Sequence, residues 1–135
     1  MKATITYRGW PGHFIGGHSC SFRLNTLVEC GDIRIVVSTV GVYRPGGPEG
    51  FPTEIGLNRF YETMAFHALW DDQYWDADVR RQIAFDAPWT IGHVCCSADY
   101  EANKMHVAVV AEIVKRIEAG ETFSTEEDKE EWWNQ

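Results

Sequence analysis

What this chain has little of already excludes several functions. It contains no uninterrupted apolar run of about 18 residues, so no segment reads as a membrane-spanning helix. It has no positive excess: 12 Lys and Arg face 20 Asp and Glu, a formal net charge of −8. A protein that coats DNA or an anionic membrane through its general field needs the opposite sign. It has no phosphate loop, because the glycines at 9, 12, 16 and 17 lack the lysine and hydroxyl that such a loop requires. No nucleophile elbow precedes Cys20, Cys95 or Cys96. Lysine is scarce too, with four residues against eight arginines, and no arginine lies beyond Arg116.

The 135 residues suit one domain, 1–135, and 44% hydrophobic with 13% aromatic content suits a folded one. Charge is distributed unevenly. Residues 118–135 carry seven acids and a single base, Lys129, which leaves the first 117 residues at a net of −2. The body is therefore nearly neutral and has room for a local positive pocket. Four cysteines (Cys20, Cys30, Cys95, Cys96) allow two disulfides, but the neighbours Cys95 and Cys96 rarely pair with each other. With no secretory leader in view, a cytosolic protein with reduced thiols is expected.

What is present is arginine set among aromatics and glycines: Arg8 beside Gly9-Trp10, Arg23 beside Phe22, Arg59 beside Phe60-Tyr61. A planar guanidinium next to planar rings suits a small anion that carries a flat ring, such as a nucleotide.

The pattern predicts an α+β fold: an antiparallel sheet of hairpins packed against a long C-terminal helix, with a short terminal helix beyond it. Residues 1–96 read as mainly β, 97–120 as the helix and 121–135 as an acidic tail. Residues 3–8 form a first strand and 18–43 a hairpin around Gly31-Asp32. Cys20, Phe22 and Leu24 alternate against Ser19, Ser21, Arg23 and Asn25. Residues 44–53 are an exposed loop. Residues 61–70 and Val79 to Phe85 alternate as a second hairpin, and only the two-residue period and the aromatics oppose a helix over 59–69. The helix at 98–119 starts at a Ser97 cap, buries Ala102, Met105, Val109, Ile113 and Ile117, and stops at Gly120. Ser124 followed by Glu127 reads as a capping box for a second helix running to Trp132-Trp133, and these tryptophans should dock on the chain itself or on another subunit.

Several groups carry potential chemistry. His13, His18 and Cys20, with His93, Cys95 and Cys96, are zinc-ligand types, but their spacing fits no zinc pattern, and no metal or other cofactor is expected. Asp71, Asp72, Asp76 and Asp78 surround Tyr74-Trp75 without the glycine a calcium loop needs, so they read as a solvated turn. The row Ser19, Ser21, Arg23 and Asn25, with Thr26 beyond it, suits phosphate and ribose hydroxyls equally with a wet sheet face. Asn58 and Arg59 suit a base and phosphate or merely an element end. Trp75 and Trp89 are stacking platforms or core residues. Asn103 and His106 share a helix edge that faces a groove or solvent.

The runs Arg8-Gly9-Trp10 through Gly12-His13-Phe14, Ser21-Phe22-Arg23-Leu24-Asn25-Thr26-Leu27, Tyr61-Glu62-Thr63-Met64-Ala65-Phe66 and Tyr74-Trp75-Asp76-Ala77-Asp78-Val79 resemble the first family of phage Thoeris anti-defence proteins. The resemblance spans roughly 7–110, and the acidic tail has no counterpart in it. It implies a non-catalytic sponge in the cytoplasm of the infected bacterial host. Such a protein captures cyclic ADP-ribose isomers made by TIR-domain enzymes, and some members also capture cyclic oligonucleotides of the CBASS system. It implies dimers assembling to hexamers with pockets at subunit interfaces, and no DNA or membrane partner. The polar positions in or near the matching runs then become the expected ligand contacts: Arg23, Asn25, Thr26, Arg59, Glu62 and Asn103, with Trp75, Trp89 and His106 beside them. Two other readings remain: a small phosphodiesterase or nucleosidase using His67, Glu62 or the aspartates near Trp75, and an acidic inhibitor whose tail mimics nucleic acid.

Overall fold

A computed structural model describes residues 1–9, 13, 19–56, 58–83, 89–95 and 97–125. One antiparallel sheet dominates it. The strands are β1 (Thr4–Arg8), β2 (Cys20–Cys30), β3 (Ile33–Tyr43), β4 (Tyr61–Asp71), β5 (Tyr74–Gln82) and β6 (Thr90–Ile91). Their order is β1-β2-β3-β4-β5, with β6 paired to β4. One helix, α1 (Ala98–Glu118), packs across β2, β3 and β4. The α+β class and the two hairpins stand as the alternation predicts.

Register explains why the helix sits where it does. Val28 faces Ile35, Thr26 faces Val37 and Leu24 faces Thr39; Val37 in turn faces Ala65, and Thr39 faces Thr63. These positions share one side of the pleat. On that side Val28, Ile35, Val37 and Ala65 cluster with Val109, Val110, Ile113 and Ile117 of α1 and with Ile83 and Phe123. A second cluster joins Val42 and Tyr61 to Ala98 and Ala102 at the start of the helix.

The other side of the sheet is also buried, although among the described residues no helix covers it. Asn25, Val36, Ser38, Val40 and Phe66 are all almost completely enclosed. The sheet achieves this by curling. Arg8 on β1 donates from Nη1 to the carbonyl of Trp75 on β5 at 2.7 Å, joining strands at opposite ends of the sheet order. Arg34 on β3 lies 4.4 Å from the Trp75 ring centroid. An irregularity in β5 permits the bend: Ala68 faces Ala77, yet Phe66 faces Gln82, so residues 78–81 bulge out of register.

Several expectations need correction. β5 begins at Tyr74, before the strand expected from Val79, and ends at Gln82; residues 84–88 lie outside the described residues. β6 has only two residues, too few to show a period. Ser97 occupies the N-cap position, but its side chain makes no capping bond; only its carbonyl accepts, from the Glu101 N–H at 2.9 Å. His106 joins the buried stripe, whereas Met105 is only partly buried. Of the aspartates expected at a solvated turn, Asp71 and Asp72 are exposed but Asp78 is buried. Gly120, at φ +90°, ends the helix as expected, and its N–H bonds the Ile117 carbonyl. Ser124 is not helical and Thr125 bridges to Ile83; the rest of the expected second helix, with Trp132 and Trp133, lies outside the described residues. Among the described residues no helix is long and apolar enough to cross a membrane.

Candidate functional site

Two arginines converge where β2 begins and β3 ends. Cys20 is registered opposite Tyr43, which brings Ser19, Ser21 and Arg23 beside Arg44. The Arg44 N–H bonds the Ser19 carbonyl at 3.0 Å, and its Nη1 donates to the Gly50 carbonyl at 2.6 Å. That second bond fixes the guanidinium against the loop following β3. Together with Gly47 and Pro48, these residues enclose a cavity of about 440 Å³. Two guanidinium groups and two serine hydroxyls line it, and among the described residues none of the lining carries a carboxylate. Such a lining attracts a phosphate, because fork-shaped donors and hydroxyls match its oxygens. Arg23 was anticipated from the alternation. Arg44 was missed, since it looked like part of a solvated Pro-Gly loop; its signal was its place directly after the last strand residue.

A second cavity, of about 260 Å³, opens between the β1–β2 edge and α1. It gathers four of the anticipated residues, Asn25, Thr26, Asn103 and His106, with Tyr7, Arg8 and Val107. Most of their polar capacity is already engaged. His106 is 2% exposed, with Thr26 Oγ1 2.8 Å from Nε2 and Thr39 Oγ1 2.7 Å from Nδ1. Thr39 also bonds Thr63 at 2.6 Å. Burial holds the His106 pKa down to about 4, so the ring is neutral near pH 7. Asn25 Oδ1 accepts from Arg8 Nε at 2.8 Å. Asn103 is exposed at the mouth. Burial also lowers the pKa of Arg8, whose Nη2 is one of two buried side-chain polar atoms without a partner among the described residues.

The Arg59–Glu62 pair belongs to a third group, within the curl of the sheet. Arg59 Nη1 lies 3.1 Å from Glu62 Oε2, and His13 Nε2 lies 3.0 Å from Oε1. His13 Nδ1 is 2.8 Å from Ser38 Oγ, and the His13 main-chain N–H donates to the same oxygen at 3.2 Å. A carboxylate oxygen accepts, so Nε2–H of His13 donates to Glu62. This chain of bonds ties His13 to the sheet.

The tryptophans divide. Trp75 is half-buried, carries Arg34 over its ring and meets Trp70 edge-on at 5.3 Å. It lines a separate cavity of about 350 Å³ with Arg34, His67 and Arg81. Trp89 packs against the main core, and its Nε1 is the other buried donor without a partner among the described residues. The nine anticipated positions thus fall into separate places, with Asn25, Thr26, Asn103 and His106 sharing one cavity.

The residues named for an enzyme are also engaged. His67 is buried and donates from Nε2 to the Phe123 carbonyl at 2.9 Å. Asp76 Oδ1 accepts from the Ala77 N–H and Asp78 Oδ1 from the Arg80 N–H. Among the described residues no group of three or more His, Cys, Asp or Glu side chains converges as a metal site. Comparison with protein-family models, with curated proteins and with solved structures returns no match.

Proposed function

We propose that this protein is a non-catalytic binding protein that captures a cyclic ADP-ribose-type signalling nucleotide and releases it chemically unaltered. In an infected bacterium such capture would block Thoeris signalling. The observation that carries the reading is the cavity between β2 and the loop after β3, where Arg23 and Arg44 meet Ser19 and Ser21 with no carboxylate in the lining among the described residues. Its volume of about 440 Å³ falls within the range of small-molecule sites. The resemblance of the four sequence runs supplies the ligand class, and with it cyclic oligonucleotides as a further ligand and dimers assembling to a hexamer as the assembly.

The energetics are compatible. Capture at nanomolar levels needs about −12 kcal/mol. Two arginine–phosphate contacts at ~1.5–3 kcal/mol each give about 3–6 kcal/mol. Ribose contacts and apolar burial supply the remainder when the cavity is preformed, because little ordering is then required.

A hydrolase is the second reading, favoured by His13 between Ser38 and Glu62. Ser38 is fully buried in the middle of β3, which leaves a substrate no path to its hydroxyl. One experiment separates the two. The protein is incubated with cyclic ADP-ribose or its isomers, heat-denatured, and the released molecule is weighed by mass spectrometry. Intact ligand in stoichiometric amount is expected, and Arg23→Ala with Arg44→Ala should release none; a linear or hydrolysed product would overturn storage.

A further inference from the structure

The start of α1 carries a group of side chains that the ligand cavity does not use. Cys95 Sγ lies 3.1 Å from His93 Nδ1, and His93 Nε2 lies 3.0 Å from Glu101 Oε2. The two ring nitrogens point in opposite directions, so thiol and carboxylate cannot converge on one metal ion; the order is that of a relay. Glu101 sits in the first turn of α1 and accepts from Nε2–H, which leaves the Nδ1 lone pair facing the thiol. The chain is held in this shape by the Cys95 carbonyl, which accepts from the Ala98 N–H at 2.8 Å.

Access matches the geometry. Cys95 is exposed and stands at the rim of a cavity of about 200 Å³ lined also by Ser21, Val42, Arg44, Tyr61 and Asp99. The other described thiols are placed differently. Cys20 is buried, and burial pushes its thiol pKa up. Cys30 is half-buried, and its Sγ lies 3.7 Å from the Met1 carbonyl.

We propose that Cys95, His93 and Glu101 form a thiol–disulfide exchange site that takes a low-molecular-weight disulfide. His93 Nδ1 accepts the thiol proton, and Cys95 Sγ attacks one sulfur of the incoming disulfide. A protein–small-molecule disulfide forms as the original S–S bond breaks. The departing thiolate takes the proton from the imidazolium and leaves as a thiol. One disulfide is consumed and one mixed disulfide is made, with no other oxidant. The adduct occupies the 200 Å³ cavity, beside Ser21 and Arg44, which also line the larger cavity. The site stands independently of the nucleotide-binding reading.

Glutathione disulfide is the probe, added to the native, full-length protein, with adducts located by peptide mass spectrometry over time. Cys95 should acquire glutathione first, about tenfold faster than Cys30. His93→Ala should bring Cys95 down to the Cys30 rate, and Glu101→Gln should place it between. Both side chains are nearly half exposed, so the variants should keep the parent's melting curve, which is measured alongside. Cys96→Ser should leave the Cys95 rate unchanged. Iodoacetamide, which forms an S–C bond and expels iodide, should show the same order. First modification at Cys30 or Cys96, or an unchanged Cys95 rate in His93→Ala, would overturn the proposal.

Discussion

His13 and Glu62 meet at 3.0 Å, ring nitrogen to carboxylate, on the side of the sheet opposite α1. Glu62 is 8% exposed and takes Arg59 on its other oxygen. A carboxylate so enclosed and so paired is a structural anchor, and its two partners come from different segments, 49 and three residues away in sequence. Glu62→Ala should cost about 1–3 kcal/mol, because His13 Nε2–H and the Arg59 guanidinium both lose their acceptor. Glu62→Gln, which keeps one acceptor oxygen, should cost less. Urea midpoints at fixed m-value check both. An unshifted midpoint for Glu62→Ala would free Glu62 for a role in ligand binding.

The buried ring of His106 gives a pH dependence of definite sign. In the unfolded chain a histidine titrates near 6.5; in the fold, burial lowers this to about 4. Above pH 6.5 the ring is neutral in both states and contributes no pH dependence. As pH falls below 6.5 the unfolded chain takes up a proton that the folded chain refuses, so stability declines until about pH 4. The full loss is about 3 kcal/mol. His106→Gln removes this titration. Its stability, measured against the parent at pH 7 and pH 4.5, should fall less between the two values. Parallel curves would show that His106 protonates without penalty.

The same residue shows where sequence reasoning falls short. Ala102, His106, Val109 and Ile113 recur at helical spacing and share the buried face. The spacing was visible, but a histidine on an apolar stripe reads as an edge residue until Thr26 and Thr39 arrive from 80 and 67 residues away to satisfy both nitrogens. The hairpins were legible because alternation is a local signal. The curl was not, since it depends on Arg8 reaching the Trp75 carbonyl across 67 residues. For that reason Asn25, which the alternation placed on a ligand-contacting or wet sheet face, proves to be buried. Arg44 was hidden differently: its loop has turn composition, and only the register of β2 against β3 places it opposite Arg23's end of the sheet.

Gly41 and Tyr61 are registered partners in β3 and β4, and the absence of a side chain at 41 makes room for the ring. A Cβ there would lie 2.1 Å from Tyr61 Cδ2. Tyr61 cannot yield easily. It is 2% exposed, its hydroxyl donates to Asp99 in the first turn of α1, and Phe22 packs edge-on at 5.5 Å. Burial, with Asp99 as acceptor, raises its phenol pKa well above the usual value. Gly41→Ala should cost about 1–3 kcal/mol by overpacking. It should also let Tyr61 ionise at lower pH as the ring is displaced, seen as added phenolate absorbance near the ordinary tyrosine range. A variant as stable as the parent, with an unchanged phenolate titration, would show that the ring has another place to go.

The acidic tail can be tested only if it is cut at the right place. Removing residues 121–135 would take away more than charge. Phe123 is 4% exposed within the main core, its carbonyl accepts from His67, and Arg116 lies 5.2 Å from its ring centroid. Thr125 bridges to Ile83, and Glu121 pairs with Arg116. Loss of the Phe123 ring alone should cost about 3–5 kcal/mol, enough to unfold a marginal domain. A chain of residues 1–120 should therefore melt far below the parent whatever its function. A chain of residues 1–125 keeps these contacts and loses five acids and one lysine, which moves the formal charge from −8 to −4. On the storage reading, 1–125 should bind the cyclic nucleotide with the parent's affinity in a calorimeter, and light scattering on the same sample reports whether assembly survives. Undiminished binding by 1–125 would separate the acidic segment from the function. Loss of activity with ligand affinity and assembled mass both intact would favour an inhibitor that acts through its charge.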